Sequence, residues 1–458
     1  MKTFFSALCR AAMVLFLLTG QVVAYEITEQ KTPDGYDFTY VHMPKANRTA
    51  VSIAWVGGYG FLSSRKENIE ELGPILMING GAGGLSPDEV VARFNAIDSG
   101  ARLYLDDDAL RGFIVAPAKD LGEASTIANK VLAEPTFDPR WLKRFQRNYV
   151  ENVRGYSKTP KGQAWLSLRN ITVGNHPLRQ VWNGTPTQNI SSITIDDVSD
   201  WYARTVTTDG LEIAVAGDAK PTAVAEAIDT ALRALPSQNA REDLPPLQMH
   251  YPAKTILIHR PEAEKSFILI GGPIPPSYSV DYEALQLATG VLGVSDQSRL
   301  FTAVRKELRA SYGFSAHFSD FTRANGMLYM QGEVETAKLQ KALETVQRTY
   351  ETFRTVGVGM VEFPFAHRIF KNRVRSNMDK PDTIAHLLTE AQLTGRSSSS
   401  GLQYLERVEG LSRAEVNAAI LRHFPKFDDM VKIVVSPDRD AVKADCVISA
   451  FSDAADCR

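Results

Sequence analysis

The feature that most constrains this chain is that its pattern occurs twice. A capping box at Thr194 and Asp197, followed by Val198, is matched by Ser412 and Glu415, followed by Val416, at an offset of 218 residues. The apolar run 211–216, closed by Gly217 and Asp218, is matched by the run 431–436, closed by Pro437 and Asp438, at an offset of 220. A hydroxyl N-cap with an acidic residue at N3 opens a helix, because each side chain satisfies an otherwise orphaned N–H. A short apolar, β-branched run bounded by turn residues reads as a buried strand. The 458-residue chain is therefore expected to hold two copies of one unit of roughly 200 residues. They occupy 25–236 and 253–438. Residues 237–252, polar and proline-rich without periodicity, read as a linker, and 439–458 as a tail.

Within the first unit, 36–43 and 50–56 alternate as strands, and 69–79 reads as a buried helix ended by the glycines at 80–84. Ser86, Pro87 and Glu89 start a further helix. Strands at 102–105 and 111–115 and a helix over 119–132 follow. Beyond Pro139 come helices at 140–155 and 163–172. The second unit has strands at 255–259, 266–271, 312–319 and 327–334, with helices at 282–292, 298–308, 338–353 and 362–377. Hairpin-connected strands with segregated helices predict an α+β fold, each unit a mostly antiparallel sheet covered by helices.

Residues 1–24 stand apart. Lys2 and Arg10 precede a ten-residue apolar core, and a small-residue exit ends at Ala24. This is the pattern of a secretory signal peptide, too short for a membrane anchor. The expectation is a secreted, periplasmic protein without stable membrane insertion. Lys and Arg number 51 against 53 Asp and Glu, a balance that gives no general attraction to nucleic acid. Three cysteines exclude a disulfide-rich scaffold. After export only Cys446 and Cys457 remain. A disulfide closing a short loop is expected in an oxidising compartment, the alternative being two unpaired thiols. Asn47, Asn170, Asn183 and Asn189 head glycosylation sequons that matter only in a glycosylating source.

No H-E-x-x-H, H-x-x-E-H, phosphate loop or G-x-S-x-G elbow is present. Several weaker motifs nevertheless fall in order. They are Phe137, Asp138 and Pro139 opening a long helix, then Gly174, His176 and Leu178 followed by Gly184 and Pro186. Further along come Val198 with Trp201 and Tyr202, then Gly217 with Asp218, and Gln297 to Phe301 running on to Tyr312 and Phe314. Over about 36–437 the chain resembles the insulinase and pitrilysin peptidases, which include mitochondrial processing peptidase. That resemblance implies a half-clamshell of two homologous units. It also implies an H-x-x-E-H helix whose two histidines bind zinc while its Glu activates water.

In this chain the implied ligand positions are degenerate. Pro74 and Ile78 take the histidine places, Met77 the Glu place, and Phe145 and Asn152 the glutamate places on the long helix. A one-residue slip that brings in Glu151 rescues nothing, since no histidine lies between His42 and His176. The resemblance assigns His176 a structural place. It therefore implies the zinc-less subunit of a heterodimer, without a cofactor of its own. Zinc would reside in a homologous partner subunit bearing H-x-x-E-H.

Such subunits supply an Arg and a Tyr seven residues apart, and Arg305 and Tyr312 resemble that pair. A guanidinium and a phenol stabilise the carbonyl oxygen more as it becomes an oxyanion than in the ground state. The residues alone also fit a surface Arg in a basic patch and a Tyr on a half-buried strand. The strand around Arg102, Leu103 and Tyr104 resembles the family's edge strand, which pairs with extended or unfolded peptide; a charge-protected edge is the alternative. The overall expectation is a non-catalytic partner in peptide hydrolysis. The alternative is a catalytically inert structural or peptide-binding member of the family.

Overall fold

The computed structural model describes residues 25–56, 69–106, 109–176, 190–237 and 246–458. The signal segment, half of the linker (238–245), the sequons at Asn183 and Asn189, and the Leu178 to Pro186 stretch lie outside the described residues.

The first sheet holds β1 (Ile27–Lys31), β2 (Asp37–His42), β3 (Thr49–Val56), β4 (Gly100–Asp106), β5 (Ala109–Ala116) and β6 (Leu211–Gly217), in the order β1-β2-β6-β3-β5-β4. Its helices are α1 (Ile69–Asn79), α2 (Pro87–Ala96), α3 (Leu121–Ala133), α4 (Pro139–Lys158), α5 (Pro160–Val173), α6 (Ile195–Thr205) and α7 (Pro221–Leu232).

The second sheet holds β7 (Thr255–His259), β8 (Ser266–Ile274), β9 (Phe314–Thr322), β10 (Asn325–Val334), β11 (Val431–Ser436) and β12 (Cys446–Ile448), in the order β12-β7-β11-β8-β10-β9. Its helices are α8 (Tyr282–Thr289), α9 (Arg299–Phe301), α10 (Leu339–Val356), α11 (Glu362–Met378), α12 (Pro381–Leu393), α13 (Ser398–Leu402), α14 (Tyr404–Gly410) and α15 (Arg413–His423).

Five strands correspond one for one in position: β2 with β7, β6 with β11, β3 with β8, β5 with β10 and β4 with β9. In both sheets the β2–β6 type of pair is parallel and the three pairs beyond it are antiparallel. Both capping boxes form, Ser412 with Glu415 and Thr194 with Asp197. The expected α+β architecture of two homologous units is what the chain adopts.

Side-chain size explains how the layers assemble. In β3, large residues Val51, Ile53 and Trp55 alternate with small Ala50, Ser52 and Ala54. In β6, Ile213 and Val215 alternate with Ala214 and Ala216. Alternation sends each set to its own face. The large face packs against α1, α3, α6 and α7 of the same unit. The small face lets a helix approach closely, and the helix that lies there is α12, from the other unit. Ala54 and Ala109 pack on Leu393, Ser52 Oγ meets Thr389 Oγ1 at 3.1 Å, and Gln392 donates to Thr39 Oγ1 at 3.1 Å.

The exchange is reciprocal. Helix α5, from the first unit, lies on the second sheet, where Ala164, Leu168 and Ile171 pack with Ile256, Leu269, Ile433 and Val435. Both sheets are thus covered on both faces, and each unit is completed by a helix of the other.

The tail holds α5 in place. The structure bonds Cys446 to Cys457, with Cα atoms 5.9 Å apart. Arg458 donates to the Ile171 carbonyl through Nε and Nη2 at 2.8 and 2.6 Å, beside Gly174, whose φ of 69° needs glycine. Asn170, only 3% exposed, donates to the Phe451 carbonyl at 3.1 Å, so its sequon cannot carry a glycan in this fold. Replacing Cys457 by Ser should release the tail from α5. A loop this short contributes about 3 kcal/mol on the chain-entropy account. Hydrogen exchange should show α5 losing protection first, whereas unchanged protection there would assign the tail no clamping role.

Candidate functional site

The degenerate zinc positions are filled by packing. Met77 is 0% exposed and sits in the first unit's apolar core with Leu72, Leu76 and Trp201. Pro74 is buried within α1, and Ile78 and Phe145 pack on the margin of the same core. Asn152 is exposed on α4. Among the described residues no group of three or more His, Cys, Asp or Glu is placed to hold a metal ion. The side chains at these positions do not fit zinc, which takes nitrogen, thiolate or carboxylate donors.

Arg305 and Tyr312 come together. The Arg305 guanidinium donates to the Tyr312 carbonyl and lies 5.9 Å from the Tyr312 ring and 5.3 Å from that of Phe301. Tyr312 is 77% exposed. Two local expectations need correction. Residues 298–308 do not form one α-helix: α9 passes into π-helical turns over Thr302–Glu307 that carry Arg305. Tyr312 lies in the loop before β9, not on the strand. The added backbone of the π turns re-aims side chains. The loop is pinned where it matters, with Ala310 N–H donating to Val304 O at 3.1 Å and Gly313 N–H to Ser311 Oγ at 3.0 Å.

Lys306, from the basic patch weighed for Arg305, and Lys265, which no sequence motif singles out, complete this spot. Lys265 Nζ is 4.9 Å from the Tyr312 ring, and Lys306 Nζ is 5.8 Å from the Phe301 ring. Three cations thus gather around two aromatic rings, one of them, Lys265, paired with Glu333 at 3.5 Å; the balance is positive and favours negative charge developing nearby. Lys265 is distant in sequence, so only strand pairing brings it in.

Strand β4 is an edge, paired with β5 in the sheet order. Leu103 is buried at 9%, while Arg102 is exposed and Tyr104 half-buried. Arg102 lies over the Phe113 ring at 4.6 Å and meets Asp382 of α12 at 3.3 Å, and Tyr104 stacks on Phe113 at 6.2 Å. The turn residues 107 and 108 are outside the described residues.

Residues 192–368 match the family model of the peptidase M16 inactive domain. This chain resembles the inactive M16, insulinase-like peptidases. It is 22% identical over 326 residues to the "non-peptidase homolog" YmxG of Helicobacter pylori, covering 69% of this chain and 72% of that protein. It is 18% identical over 301 residues to the "probable inactive metalloprotease" YmfF of Bacillus subtilis, covering 64% and 68%. The crystal structure of a peptidase M16 inactive domain from Pseudomonas fluorescens superposes with a TM-score of 0.78 at 19% identity, over 90% of this chain and 98% of that one. At that identity the likeness speaks for the fold.

The helix start that carries Arg305 is anchored from α11. Arg299 donates to Glu362 through Nε and Nη2 at 2.8 and 2.6 Å and to the Gly357 carbonyl at 2.8 Å. The hydrogen bonds from Arg299 hold the Glu362 carboxyl below its ordinary value. Burial opposes this, and the Gly359 N–H adds to it. A carboxylate with a depressed folded pKa stabilises fully above its unfolded value, and that stability is lost as pH falls through the lower folded value. Thermal stability should therefore fall on acidification below the ordinary glutamate range. Glu362→Gln should remove that part of the slope, and an unchanged acid limb in melting curves would exclude the contribution.

Proposed function

We propose that this chain is the zinc-less partner subunit of a heterodimeric insulinase-type metallopeptidase, exported to the periplasm. The observation that carries the reading is the exposed Arg305 and Tyr312 pair, set in a cationic cluster on a pinned loop. Hydrolysis belongs to the partner, whose H-x-x-E-H would hold the zinc. This chain supplies chamber wall, with the β4 edge and Arg102, Leu103 and Tyr104 offered to an extended peptide. Arg305 and Tyr312 stabilise the scissile carbonyl oxygen as it gains charge.

The test is reconstitution. The purified chain alone should leave unfolded peptides intact, and turnover should appear when the H-x-x-E-H subunit is added. Stoichiometric zinc and peptide cleavage by the chain alone would overturn the reading. A homodimer that binds peptide, gives the H-x-x-E-H subunit no stimulation and cleaves nothing would instead support an inert structural or peptide-binding role. The degenerate α1 and α4 positions are compatible with either.

A further inference from the structure

The two exchanged helices sit on their sheets in equivalent ways but with opposite charge. Both start with proline at the first turn, Pro160 in α5 and Pro381 in α12. Lys161, Trp165 and Arg169 therefore take the positions of Asp382, His386 and Glu390, one stripe along each helix. On the first sheet the stripe is matched: Asp382 meets Arg102, Glu390 meets Arg111, and His386 packs against Phe113 at 6.1 Å. On the second sheet the facing residues of β10 are Met327, Tyr329 and Gln331, which bring no carboxylate.

The result is a cleft of about 330 Å³ between α5, β9 and β10. Among the described residues neither Lys161 nor Arg169 forms an ion pair, and the Arg169 Nε is buried without a hydrogen-bond partner. The one acidic lining residue, Asp320, accepts the Ser277 N–H at 3.0 and 3.2 Å. The aromatic wall is ordered: Trp165 meets Tyr329 edge to face at 4.8 Å and donates through Nε1 to Gln331 Oε1 at 2.9 Å. Burial and the nearby Lys161 charge disfavour protonation of His317, which packs on Tyr329 at 5.3 Å.

We propose that this cleft binds an aromatic carboxylate, with the acid group on Arg169 and the ring against Trp165 and Tyr329. A buried guanidinium donor lacking an acceptor gains most from a charged oxygen. The aromatic pair offers faces and edges to a planar group, and Lys161 at the exposed end adds attraction. The cleft is of a size for one small acid or one terminal residue. It lies on the second sheet and does not depend on the peptidase-partner reading. A free aromatic acid and the aromatic C-terminus of a peptide share this chemistry.

The experiment is calorimetric titration of the full chain with N-acetyl-tyrosine, with a tetrapeptide ending in free tyrosine, and with the same tetrapeptide amidated. Both carboxylates should bind saturably and the amide roughly tenfold or more weaker, the scale of a charge-assisted hydrogen bond. Arg169→Gln should weaken the acids by a similar factor. Lys161→Gln, at an exposed position, should weaken them less and reduce the salt dependence, and it keeps the test alive if Arg169→Gln does not fold. Tighter binding of the tetrapeptide assigns the cleft to peptide ends, and equal binding assigns it to a free acid. Equal affinity for acid and amide, wild-type affinity in Lys161→Gln, or no saturable binding at millimolar ligand would overturn the proposal.

Discussion

Replacing Glu390 by alanine should lower the stability of the whole chain by about 3–5 kcal/mol, the scale for removing one partner of a buried ion pair. Arg111 is 3% exposed beneath α12 and is held by Glu390. Without the carboxylate, a charge held between the first sheet and a helix from the second unit would keep only its weaker contacts, Thr389 Oγ1 among them. The cost arises from a buried charge left with poorer compensation more than from any large net attraction in the pair. Restoring shape without charge, as in Arg111→Met with Glu390→Leu, should therefore recover most of the loss. Chemical denaturation of the variants reads this directly. A loss below about 1 kcal/mol for Glu390→Ala would mean that water reaches Arg111 and the seam is not sealed.

Arg305→Ala should reduce kcat of the reconstituted complex by about 10²–10³-fold, the range for deleting one oxyanion donor. KM and assembly should change little, because the interaction strengthens only as charge develops on the substrate oxygen. Tyr312→Phe keeps the ring and its contacts with Lys265 and Arg305 and removes only the hydroxyl. Its effect should be smaller, in kcat again. A purely structural Arg305 would instead shift melting temperature or subunit affinity and leave turnover per complex intact. Unchanged kcat in both variants would leave the chain with an inert role.

Much of the fold is legible in the amino-acid sequence, because repetition and capping are local signals. The boxes at Thr194 and Ser412 and the runs at Leu211 and Val431 recur as real elements in matching places. The exchanged helices are harder to place. The buried residues of α12, from Leu387 through Ile384, Leu388 and Thr389 to Leu393, span about two-thirds of its circumference, so no single narrow stripe announces which surface it covers. The informative signal lies elsewhere, in the small residues at alternate positions of β3 and β6. Those positions state that something lies close to that face, but not which segment. The π-helical turns that carry Arg305 are likewise hidden, since an extra residue in a turn leaves apolar periodicity nearly unchanged. Cys446 and Cys457 are legible as a candidate pair, whereas the docking of their loop on α5 depends on contacts remote in sequence.

The exchange of α5 and α12 also sets the order in which the chain can complete its layers. The first sheet gains its last strand at Leu211–Gly217, yet the helix that covers its small face begins only at Pro381. In synthesis or in emergence from an export channel alike, the sheet is complete in sequence well before its partner helix follows. During that interval the stripe of Ala50, Ala54, Ala214 and Ala216 faces solvent or a chaperone. An amino-terminal fragment ending before α12 should behave as an aggregation-prone intermediate, not as a free-standing domain.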